Sequence, residues 1–288
     1  MKKLMFTAAV AAAMGALAIE SANTVGYTTK TIPAGSYQIL AVQFDGTDNN
    51  TLPLSKALQL DSSVAVSAWA SMEDEFCIPN WYKSAVHIMV PKGVVSEGYT
   101  DLYYSSNAYD NDAEEFVVGW ADQDGVYVKD AEVAFLSGHA LWVQNQTEIP
   151  VTVQVSGQVK SSANDQLSFS IGYNLMKLPY PVALNAGASK IAWGITTENA
   201  PKAWNSMEDE FCITDWYKSA IHIMIPKGVV SEGYIDLYYT QNAYDNVKEE
   251  FVAGWADQDG VYVTDAVIPE GFGFWIQTPV AFTATVTK

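Results

Sequence analysis

Apolar residues recur at every second position wherever the pattern of this chain can be read. Val151, Val153 and Val155 alternate with Thr152 and Gln154, Leu167, Phe169 and Ile171 with two serines, and Val86, Ile88 and Val90 with His87 and Met89. A period of two belongs to a strand with one face in a core and the other turned outward. Turn-forming groups interrupt these runs at short intervals, among them Pro33-Ala-Gly35, Pro91-Lys-Gly93, Asp122-Gln-Asp-Gly125 and Ser137-Gly138. Short strands punctuated in this way predict an all-β chain folded as sandwich-like or barrel-like domains. Helical periodicity is weak. Residues 55–60, and the segment opening Ser71-Met-Glu-Asp74 with a serine three positions before an acid, predict only short helical turns.

The pattern occurs twice. Residues 71–131 return at 206–266, displaced by 135 positions, with 11 differences over 61 positions, most as mild as Val86 to Ile221 or Ser105 to Thr240. The chain is therefore a tandem of one unit, and what one copy does the other can do. Each unit is expected to hold an opening strand near 37–44 or 169–178, a segment bearing Trp69 or Trp204, the shared block, and a closing strand pair. That pair is 139–145 with 151–155 in the first copy and 272–277 with 282–286 in the second. Met1-Lys-Lys3, an apolar run and Ala16-Leu17-Ala18 read as a cleaved secretory signal. Together these features predict a signal peptide at 1–18, β-domains at 23–157 and 167–288, and a polar linker at 158–166.

Charge narrows the partners. The sequence carries 15 basic and 33 acidic residues, a net charge of −18, and every basic residue is lysine. Without the planar two-point grip of arginine, and with a strongly acidic surface, nucleic acid and anionic lipid are excluded as partners. No run after the signal approaches the roughly 20 apolar residues of a membrane span. Divalent cations, cationic partners and neutral glycans remain electrostatically allowed.

Asn23-Thr-Val-Gly-Tyr27 behind the signal, Ile32-Pro-Ala-Gly35, Gly119-Trp120 and Pro269-Glu-Gly-Phe-Gly-Phe-Trp275 together resemble a class of uncharacterised secreted, two-repeat, β-rich bacterial proteins. Gly172-Tyr-Asn-Leu175 is similar to the opening of small β-modules attached to secreted surface proteins. The resemblance implies an exported β-protein and carries no activity with it.

Several groups of residues invite chemistry. Asp122-Gln-Asp124-Gly125 with Asp130, and Asp257-Gln-Asp259-Gly260 with Asp265, space carboxylates as a calcium ion requires but lack the closing bidentate glutamate; a tight turn with glycine at positive φ explains the same residues without a cofactor. Glu73-Asp74-Glu75 and Glu208-Asp209-Glu210 are adjacent acids that point apart, unlike a glycosidase pair. His87 and His222 have no neighbouring ligand at metal-binding spacing, and Cys77 and Cys212 have no nucleophile signature. Of the adjacent aromatics Trp81-Tyr82 and Trp216-Tyr217, strand alternation would bury one member and expose the other, which could stack on a sugar. The sequence thus predicts a secreted, non-enzymatic structural or adhesive protein of the bacterial surface, self-associating or glycan-contacting. Its alternative is a carbohydrate-binding β-sandwich module assisted by calcium.

Overall fold

The computed structural model describes residues 25–44, 53–92, 97–129, 133, 138–187, 190–228 and 232–288, so the signal peptide and Asp130 lie outside the described residues. The alternating runs become strands. In the first unit these are β1 (Val25–Ile32), β2 (Tyr37–Leu40), β3 (Leu58–Leu60), β4 (Val86–Pro91), β5 (Tyr99–Asp110), β6 (Glu115–Ala121), β7 (Leu141–Asn145) and β8 (Val151–Gln158). The second unit continues with β9 (Asn164–Phe169), β10 (Gly172–Lys177), β11 (Leu184–Asn185), β12 (Ile191–Ala192), β13 (Ile221–Pro226), β14 (Tyr234–Asp245), β15 (Glu250–Ala256), β16 (Val267–Ile268), β17 (Gly273–Thr278) and β18 (Phe282–Thr287).

Two sheets per unit follow. The first unit has a five-stranded sheet in the order β2-β7-β4-β5-β6 and a three-stranded sheet β1-β8-β3; the second has β10-β17-β13-β14-β15 and β12-β18-β9, with β11 and β16 as an added pair. All pairings between these strands are antiparallel. The fold is the expected all-β sandwich. Val86, Ile88 and Val90 point inward with Leu141, Val143, Val151, Val153 and Val155, and this core is repeated by Ile221, Ile223, Ile225, Phe274, Ile276, Ala284 and Val286.

The closing strand pair is not a pair. β7 lies between β2 and β4 in one sheet, whereas β8 lies between β1 and β3 in the other, so the chain crosses the sandwich between them. Alternation reports which face is buried but not which strand is the neighbour. The expected linker is also shorter, because Gln158 pairs with Val25 and 164–166 form the start of β9, pairing with β18. The helical turn at 55–60 shrinks to Leu54–Ala57 and passes into β3. At Ser71 the capping hydrogen bonds form without a helix: Ser71 N donates to Asp74 Oδ2 (2.7 Å) and Glu73 N to Ser71 Oγ (3.2 Å), closing a turn.

A third layer covers part of each large sheet's outer face. Ala68, Trp81 and Ala85 pack with Trp69, Ile78 and Tyr82 onto Tyr103, Ala108 and Ala121 of β5 and β6, and the second unit repeats the arrangement around Trp216. Among the described residues, this layer does not extend over the outer face of β2, β7 and β4, or of β10, β17 and β13.

The two units meet at these strands in a pseudo-two-fold arrangement. Ile39 pairs with Trp142, and Leu175 with Trp275, so Ile39 and Leu175 are equivalent positions. Leu40 then bridges Phe272 across the junction, and its counterpart Met176 bridges His139. Ala41 N donates to Gly271 O (3.0 Å) and Lys177 N to Gly138 O (2.8 Å), again a symmetric exchange. Ile39, Ala140 and Leu175 form a small buried cluster ringed by Tyr99, Trp142, Tyr234 and Trp275. Each patch touches its own copy, as an isologous interface between identical subunits does. Gln43 adds an unsymmetrical clamp: its Nε2 donates to Leu178 O (3.2 Å) and Tyr180 O (2.6 Å), and its Oε1 accepts from Gly271 N (2.9 Å).

Candidate functional site: the open half of the outer sheet faces

Strand register puts a fixed set of side chains on the outer face. One row runs Tyr37, Gln144, His87, Tyr103, and the next runs Ile39, Trp142, Met89, Asp101; of these, Ile39 is buried at the junction, and His87 and Tyr103 are 7% and 8% exposed where the covering layer ends. The second unit presents Tyr173, Gln277, His222, Tyr238 and then Leu175, Trp275, Met224, Asp236. Tyr37 and Tyr173 are 42% and 47% exposed and stand edge-on to Trp142 and Trp275, with ring centres 6.5 and 6.2 Å apart. At the junction Trp142 and Trp275 are themselves 6.1 Å apart. The two faces therefore adjoin, with four rings along their shared border.

Polar groups line the rest of each face. His87 Nε2 lies 2.8 Å from Asp101 Oδ1 and its Nδ1 3.3 Å from Gln144 Oε1, while the ring stacks on Tyr103 at 4.4 Å. His222 repeats the contacts with Asp236 (2.8 Å) and Tyr238 (4.5 Å). In a hydrolytic triad the imidazole nitrogen opposite the carboxylate holds a nucleophile. Here Gln144 occupies that place, which suits a polar contact surface. Burial pushes the phenols of Tyr99, Tyr103, Tyr234 and Tyr238 up, and at Tyr103 and Tyr238 the nearby Asp101 and Asp236 add to it, so all four remain O–H donors at neutral pH. Two shallow depressions mark the face in the second unit. One of about 430 Å³ is bordered by Tyr217, His222, Tyr238 and Gln277, and an apolar one of about 240 Å³ by Tyr173, Met224, Tyr234 and Trp275.

The residues singled out from sequence divide. Trp81 and Trp216 are only 4% exposed, and their indole N–H groups donate to Gln123 O and Gln258 O at 3.1 Å; both are core anchors with no face to offer a ligand. They sit in short 3-10 turns, Trp81–Ser84 and Trp216–Ser219, where strand alternation does not apply. Tyr82 and Tyr217 do reach the face, each 5.3 Å from the ring of Tyr103 or Tyr238.

The acidic loops are turns. Asp122 Oδ1 accepts from Asp124 N (3.0 Å) and Val126 N (2.9 Å), Asp257 does the same for Asp259 and Val261, and Gly125 and Gly260 take φ of +77° and +76°. Those carboxylates already serve backbone donors, Asp124, Asp259 and Asp265 are exposed, and no group of three or more His, Cys, Asp or Glu among the described residues is placed to hold a metal. Cys77 and Cys212 are free thiols. Among the described residues no helix is long and apolar enough to cross a membrane.

Sequence reasoning passed over Tyr37, Trp142 and Tyr99 with their counterparts. The alternation of Leu141 and Val143 around Trp142 was the available signal for an outward ring. Compared with family models, characterised proteins and solved structures, the chain matches none, so geometry carries the functional reading.

Proposed function

We propose that this is an exported, non-enzymatic structural or adhesive protein whose contact surface is the open half of the two outer sheet faces, and that neutral glycan is the ligand the surface suits. The observation that carries the reading is how the copies differ. Between β2 and β10, and between β7 and β17, the inward residues have changed: Gln38 to Asn174, Leu40 to Met176, Leu141 to Phe274, Val143 to Ile276 and Asn145 to Thr278. Among the outward residues, those buried at the junction have also changed, Ile39 to Leu175 and Ala140 to Gly273, whereas the exposed Tyr37 and the half-buried Trp142 and Gln144 return unchanged as Tyr173, Trp275 and Gln277. Free drift would favour change at the surface over the interior. Rings with hydrogen-bonding amides, phenols and a histidine beside them match the apolar face and hydroxyl rim of a sugar, and an acidic, arginine-free surface selects against anionic polymers.

Affinity electrophoresis through gels containing a panel of neutral polysaccharides tests this. At least one should retard the protein, and Trp142→Ala or Trp275→Ala should weaken binding by about tenfold or more, as expected for an aromatic anchor worth about 2 kcal/mol. Retardation by none of them, or binding that survives both substitutions, would reject the glycan surface.

A further inference from the structure

A second duplicated site lies under the covering layer, away from the open face. Trp69, Tyr109 and Phe116 form a ring cluster with centres 6.0–6.4 Å apart, and Trp69 is fixed by its indole N–H donating to Gly125 O (3.0 Å). A cavity of about 590 Å³ opens beside them, closed on its other sides by Phe76, Glu75 and Asp124 among others. Phe76 is 76% exposed, Met72 at the same mouth is 55% exposed, and both leave apolar surface in water that the fold does not use. The second unit repeats the ring cluster in Trp204, Tyr244 and Phe251 and again leaves Phe211 76% exposed.

None of the 11 differences between 71–131 and 206–266 falls on a residue lining this cavity, and Trp69, which lies just outside that block, returns as Trp204. Charge close by has changed freely, with Asp112 becoming Val247, Ala113 becoming Lys248 and Lys129 becoming Thr264. Three carboxylates line it, Glu75, Asp124 and Asp74, the last also accepting from Ser71 N, and they return as Glu210, Asp259 and Asp209. An apolar aromatic wall with carboxylates at its rim attracts a cation carried on an apolar stem, through the ring faces and through direct charge attraction. We infer that each unit holds a pocket for an alkylammonium or guanidinium group on an apolar stem, the chemistry of a lysine or arginine side chain of a basic partner or of a free organic amine. The protein's own net charge of −18 steers such ligands toward it.

Isothermal titration of the whole chain with n-hexylammonium, with n-hexanol as the neutral analogue, tests the inference. Two sites per chain are expected, with hexylammonium favoured several-fold over hexanol and the preference shrinking as salt rises. The quadruple variant Glu75→Gln, Asp124→Asn, Glu210→Gln, Asp259→Asn, which keeps the turn-holding Asp74 and Asp209, should cut that preference at least several-fold while leaving hexanol unchanged. Phe76→Ala with Phe211→Ala, both highly exposed and so harmless to folding, should weaken both probes. A lysine-containing apolar peptide that binds more tightly than hexylammonium identifies a protein partner as the source, and equal affinity identifies a free amine. Equal affinity for hexanol and hexylammonium, or heat that survives the phenylalanine substitutions, would overturn the pocket.

Discussion

Gly273→Ala is the sharpest probe of the junction between the units. Gly273 opens β17 with ordinary strand geometry, so its small size serves close approach and not an unusual backbone angle. A methyl group there would meet Ala140 Cβ at 2.2 Å, Ile39 Cγ2 at 2.5 Å and Met176 O at 2.9 Å. Two of these are contacts across the dyad, and the third is backbone that cannot rotate away. Overpacking of this kind costs about 1–3 kcal/mol. For a chain of this size about 2 kcal/mol corresponds to a fall in Tm of roughly 4–8 °C. Because the two side-chain clashes, with Ala140 and Ile39, lie between the units, calorimetry should also show a broader or split unfolding endotherm relative to the parent. Ala140 is the equivalent position across the pseudo-axis, so Ala140→Gly in the Gly273→Ala background removes the 2.2 Å contact and should recover part of the loss. Recovery stays partial because Ile39 Cγ2 and Met176 O remain close. A Tm within a degree of the parent, or a double variant no better than the single, would refute the close symmetric packing described for this junction.

Two further predictions address different parts of the fold. Gln43→Leu strips partners from Leu178 O and Gly271 N, while Tyr180 O keeps Val182 N, and should destabilise by about 1–3 kcal/mol in urea unfolding; an unchanged midpoint would mean that the clamp is solvated or redundant. Burial, reinforced by Asp124 and Asp259, pushes the Cys77 and Cys212 thiols up. Their folded-state pKa therefore exceeds the unfolded value of about 8.5, and the stability linked to the neutral thiols is present below that pH and lost as pH rises through the folded value. Alkylation should be slower in the native protein than in urea across pH 7–9 and accelerate only at higher pH, and equal native and unfolded rates would contradict the burial.

Much of this architecture was already written in the amino-acid order. The period-two runs at Val86–Val90 and Val151–Val155 named the strands and their buried faces, because a strand's alternation is a local property that burial on one side imposes on composition. The repeat announced two copies of one sandwich, and Asp-Gln-Asp-Gly announced its turns through the positive φ that glycine accepts without strain. Pairing partners were not legible, since β7 and β8 are adjacent in sequence yet belong to different sheets. Nor was the fate of the paired aromatics: whether Trp81 or Trp142 meets water depends on the layer of residues 66–84 folded over β5 and β6, a long-range packing choice. The dyad that brings Trp142 within 6.1 Å of Trp275 is likewise tertiary. It arises because Ile39, Ala140, Leu175 and a side-chain-free Gly273 let two sheets approach where any larger residue would hold them apart.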